Sequence, residues 1–272
     1  MSSHLPAARH ALIAAAIALV ATASPPVRGD DTPATATMPV PASQAWCAPD
    51  LETLPGDVCH VEVAPKDGRR TLVIFLHGVI QPDSGWQWQQ QRGMAIAAKR
   101  LGFSAIMPRG RRGIGPPKMT DWWTWPTSHV AQDQVETELL DEWARARAAL
   151  ETRAGKPFDE VFVFGFSNGA YYATSLAVRG RMAVDGYAAF AGGAGPKHIR
   201  EAAKRTKDRK PFFLAIAGKD KTTVRGAKQL ADLLKSTRWP HKAESLPVGH
   251  AVADAHLAHA LEFLRKGAAK KP

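Results

Sequence analysis

The sequence predicts an α/β fold in which a mostly parallel central sheet carries helices on both faces. Two observations carry this expectation. From Val58 onward, short apolar runs alternate with longer amphipathic stretches, the order expected when helices form the crossovers of a parallel sheet. Within that order, the run Val161-Phe162-Val163-Phe164-Gly165-Phe166-Ser167-Asn168-Gly169-Ala170 sets a Gly-x-Ser-x-Gly turn between a buried-strand pattern and a helical one.

The chain begins with basic Arg9 and His10, then the apolar run Ala11 to Val20, then Ala21-Thr22-Ala23, the pattern of an export signal over residues 1–23 with cleavage after Ala23. That run is shorter than the roughly 20 apolar residues needed to span a bilayer, so no stable membrane insertion is expected after cleavage. Residues 24–45 are rich in Pro, Ala and Thr without a hydrophobic period and predict a flexible leader. One catalytic domain is expected over 46–272. Strands are expected at Val58–Val63, Thr71–Leu76, Phe103–Met107, Val161–Phe164, Gly186–Phe190, Phe212–Ala217 and Lys242–Leu246. Helices are expected at Gln87–Arg100, Asp133–Arg153, Ala170–Val178, Lys197–Thr206, Val224–Ser236 and Ala251–Arg265. No long insertion interrupts the final strands, so no large lid domain is predicted.

The two cysteines, Cys47 and Cys59, are permitted a disulfide by export and are otherwise plain thiols. The net charge of +11 raises the question of an anionic partner. The basic residues gather around Arg109 to Arg112, Lys204 to Lys210 and Lys266 to Lys271, with no nucleic-acid fold signature near any of them. Solvated faces are the expected reading, with no nucleic-acid partner.

A serine hydroxyl is a poor nucleophile at neutral pH. It needs a histidine to take its proton and a carboxylate to hold that histidine in one tautomer. In an open sheet the loops at the carboxyl ends of the strands converge on one crevice. Ser167, Asp220 and His250 each follow a predicted strand and are expected at that shared edge. Asp208 precedes its strand, Asp232 lies within a helix and Asp254 falls in the final helix, so all three rank below Asp220. His256 and His259 share a helix face without an obvious third ligand, and no metal site is expected. His60, His129, His198 and His241 have no motif around them and read as surface or satisfied histidines. The backbone N–H groups of Val79, after His77-Gly78, and of Asn168 are the expected oxyanion donors, with His77 shaping the loop.

Gly165 to Gly169, His77-Gly78, Gly218-Lys219-Asp220 and Gly249-His250 resemble the α/β-hydrolase superfamily over nearly all of Val58 to Arg265. Within it the chain is similar to the dienelactone hydrolase and phospholipase/carboxylesterase group and to secreted polyhydroxybutyrate depolymerase-like esterases. Met107-Pro108-Arg109-Gly110, Met119 and Asp121-Trp122-Trp123 resemble the substrate-loop region of the carboxylesterases, while Asn168 stands where that group often has glutamine. The resemblance implies hydrolysis of small to medium acyl or aromatic carboxylic esters through an acyl-enzyme, without a cofactor. Trp86, Trp88, Trp122, Trp123 and Trp125 lie in or beside strand-end loops. Trp122 and Trp123, together with Tyr171, are the expected substrate contacts, whereas Tyr172 is expected to pack into the sheet. Arg109 to Arg112 either select an anionic group or form an exposed basic loop. A serine peptidase or amidase, an acyltransferase and a non-catalytic binding protein retaining the fold stay open as alternatives. The sequence says nothing of oligomeric state.

Overall fold

Eight strands form one sheet in the order β1-β2-β4-β3-β5-β6-β7-β8. The computed structural model describes residues 45–65, 67–193 and 197–269, so the expected export signal and all but the last residue of the leader lie outside the described residues. The strands are β1 Glu52–Leu54, β2 Val58–Val61, β3 Thr71–Leu76, β4 Ser104–Met107, β5 Glu160–Phe166, β6 Gly186–Phe190, β7 Phe212–Ala217 and β8 His241–Leu246. β1 pairs antiparallel with β2 and β2 with β4, and every other pairing is parallel.

The helices are α1 Trp86–Leu101, α2 His129–Ala154, α3 Asn168–Arg179, α4 Lys197–Arg205, α5 Val224–Ser236 and α6 Asp254–Ala268. Successive strand residues face opposite ways, so a strand buried on both sides feeds two cores. Leu72, Ile74 and Leu76 of β3 join the core under α2, α3, α4 and α5. Val73 and Phe75 join the one under α1 and α6, which also takes Phe162, Phe164 and Phe166 from β5. No helix among the described residues is long and apolar enough to cross a membrane.

The structure adds one strand to the sequence expectation, β1, and moves the starts of α2 and α6, with shifts of one to three residues at several other element ends. β1 has only three residues, two of them exposed and polar, too short for a hydrophobic period to register. α2 starts at His129 rather than Asp133, because the Ser128 side chain caps it by accepting a hydrogen bond of 3.2 Å from the Ala131 N–H. α6 starts at Asp254 rather than Ala251, leaving 247–253 as the loop that carries His250. Cys47 and Cys59 form a disulfide, which ties the segment before β1 to β2.

Candidate active site

The turn after β5 holds Ser167 at φ 52° and ψ −115°, a backbone conformation that L side chains rarely adopt. Close packing holds it there. A Cβ at Gly165 would overlap the Gly169 carbonyl, and one at Gly169 would overlap the backbone of Leu76 and His77. Both flanking glycines are therefore required by space, as the motif implied. The Ser167 N–H donates to the Phe190 carbonyl at 3.0 Å, and the Gly169 N–H to that of His77 at 3.1 Å.

The structure brings the three dispersed residues together. His250 Nε2 lies 2.9 Å from Ser167 Oγ, and His250 Nδ1 lies 2.6 Å from Asp220 Oδ2. Asp220 is buried. Burial alone would raise its carboxyl, but hydrogen bonds from Thr223, His250 and the Thr222 N–H outweigh it and hold Asp220 at about 2. An ionised Asp220 accepts from Nδ1–H, which leaves Nε2 free to take a proton from the serine. The rival Asp254 instead pairs with Arg100 at the start of α6.

The loop after β3 lies directly against Ser167, since a Cβ on Gly78 would sit 3.3 Å from Ser167 Cβ. His77 sets this loop. It is buried, and the Gly110 N–H donates to its Nε2 at 3.0 Å, so its Nδ1 carries the proton and donates to the Gly78 carbonyl. In a trans peptide the C=O and the following N–H point opposite ways, so fixing the Gly78 carbonyl also fixes the Val79 N–H. Gln90 Oε1 takes the Gly78 N–H at 3.0 Å, and Ile80 exchanges two backbone hydrogen bonds with Trp123. Among the described residues, neither the Val79 N–H nor the Asn168 N–H has a hydrogen-bond partner.

Burial pushes His77 down to about 4, against an ordinary 6.5. A lowered histidine means that the unfolded chain binds the proton more readily than the folded one. Its contribution to stability is therefore complete above pH 6.5 and is lost as pH falls from 6.5 to about 4, by about 3 kcal/mol in all. Denaturant unfolding across that window is expected to show this slope in the wild type and a flatter one in His77→Gln; equal slopes would place the proton elsewhere.

Trp125 is buried rather than lining a cleft. Its Nε1–H donates to the His77 carbonyl at 2.8 Å, and its ring lies 4.7 Å from His77. Trp46, next to the disulfide-bonded Cys47, also packs on His77, with ring centroids 5.1 Å apart. The Asn168 side chain has a role that the sequence did not disclose: its Oδ1 accepts the Trp125 N–H at 2.7 Å and ties the serine turn to the 119–125 segment.

Trp123 packs at 5.8 Å from Trp46 with the Arg109 guanidinium over its ring, and Trp122 is half-buried beside it. Tyr171 is half-buried on the first turn of α3, where burial and the Asp220 charge push its phenol up. Tyr172 is buried and donates to Glu136 at 3.1 Å. The basic loop is largely paired, with Arg109 on Asp57, Arg111 on Glu138 and Glu142, and Arg112 near Asp121.

A cleft of about 290 Å³ opens beside His250 and Phe166, walled by Phe75, Trp86, Met94 and Val252 among others. A hollow of about 400 Å³ between α2 and residues 181–184 contains none of the three hydrogen-bonded residues. No group of three His, Cys, Asp or Glu among the described residues is arranged to hold a metal ion.

Residues 58–268 match the Phospholipase/Carboxylesterase family of α/β-hydrolases. The chain belongs to this family. Solved structures share the fold of this carboxylesterase-family chain at low identity. Esterase PE8 is 20% identical with a TM-score of 0.54, over 79% of this chain and 99% of that one. The Bacillus cereus carboxylesterase is 16% identical with a TM-score of 0.52, over 77% and 94%. A carboxylesterase from Mesorhizobium loti is 19% identical with a TM-score of 0.52, over 72% and 88%. Comparison with curated proteins found no match.

Proposed function

We propose that this family member is an exported serine hydrolase that cleaves small to medium acyl or aromatic carboxylic esters. The observation that carries the reading is the unbroken hydrogen-bond chain from Asp220 through His250 to Ser167 Oγ, the last held on a strained turn. In this mechanism His250 Nε2 takes the serine proton as Oγ attacks the ester carbonyl. The Val79 and Asn168 N–H groups receive the oxyanion. His250 then protonates the leaving alcohol, and a water activated by the same nitrogen hydrolyses the acyl-enzyme. Asp220 orients His250 throughout. The disulfide supports export, because such bonds persist in oxidising compartments.

The test pairs labelling with turnover. A fluorophosphonate is expected to modify Ser167 alone, and a panel of p-nitrophenyl esters is expected to be cleaved far faster than matched peptide anilides. Absence of label at Ser167, or a preference for the anilides, would overturn the reading.

A further inference from the structure

We infer that Gly93 sets the length of the apolar group that the cleft beside His250 accepts, an inference that rests on the ester-hydrolase reading above. Gly93 lies in the middle of α1, where only proline is less favourable than glycine. Nothing in the backbone asks for it, since its φ is not positive. Nothing in the packing asks for it either, because an added Cβ would meet no atom within 4 Å. What the position does have is a place in the wall of the 290 Å³ cleft, together with Phe166 and His250.

Side chains on a helix lean toward its amino terminus, so a longer residue at 93 would lie over the turn that holds Gln89 and Gln90. Both of those line the same cleft. The missing side chain is thus the space that a substrate group would fill. Phe75, Met94, Val252 and Leu257 give the cleft apolar walls, and Trp86, which also lines it, stands 45% exposed. Asp254, the charged group that lines the cleft, is neutralised by Arg100. An uncharged alkyl or aryl arm fits these walls.

Gly93→Ala, Gly93→Leu and Gly93→Trp give a graded test. Each is assayed on p-nitrophenyl acetate, hexanoate and dodecanoate, and on acetate esters of methanol, butanol and octanol. One series varies the acyl arm and the other the alcohol arm. The ratio of long-ester to short-ester kcat/KM is expected to fall in the order Ala, Leu, Trp in one of the two series, reaching about tenfold or more for Leu. Gly93→Ala is also expected to raise Tm by about 2–4 °C, which shows that glycine is not retained for folding. Unchanged ratios in both series, or an equal loss on every ester, would overturn the role of Gly93. A wild type inert toward all of these esters would overturn the ester-hydrolase reading itself.

Discussion

Ser167→Ala is expected to lower kcat by about 10⁶-fold while leaving the melting temperature and ester binding nearly unchanged. Among the described residues, the serine side chain makes one hydrogen bond, to His250 Nε2. Its backbone conformation is held by glycine contacts and by the hydrogen bond from its N–H to the Phe190 carbonyl, which alanine keeps. Only the attacking oxygen is lost. Residual turnover would come from the unpartnered N–H groups and from binding, as in other hydrolases stripped of their nucleophile. Steady-state kinetics beside a thermal melt decides the matter, and turnover within tenfold of the wild type would sink the assignment of Ser167.

Asp220→Asn is expected to cost about 10⁴-fold in kcat at neutral pH with an intact fold. Asp220 Oδ2 accepts from both the Thr223 hydroxyl and His250 Nδ1, while Oδ1 accepts the Thr222 N–H at 3.0 Å. An amide turned with its NH₂ toward His250 forces Nδ1 to accept, which places the proton on Nε2 and blocks uptake from the serine. An amide turned the other way sets its NH₂ against the Thr222 N–H, donor against donor. Both arrangements damage the site without removing a single atom of bulk. A small loss of activity would mean that another carboxylate orients His250.

The serine turn was legible in the sequence because it is local: the apolar strand, two glycines and the following helix occupy one short run. Asp220 and His250 were legible because their places at strand ends follow from element order. The cleft was not. Its walls come from α1, from the end of β5 and from the loop before α6, and no periodicity links Gly93 to Val252. The same holds for Trp123. Its exposure cannot be read from the chain, because Trp46 and Arg109 reach it from distant segments. The Asn168 amide was visible as a residue but not as a tie, since its partner Trp125 lies in an irregular loop.

Trp46, His77 and Trp125 form one aromatic cluster behind the loop that follows β3, and the pieces belong to the segment before β1, the end of β3 and the connection between β4 and α2. A change of size at one ring alters the seat of the other two, so substitutions at these three positions are expected to be non-additive in their effect on stability. The segment around residue 46, which precedes every described strand, thereby helps to seat a loop beside a serine with which it makes no hydrogen bond.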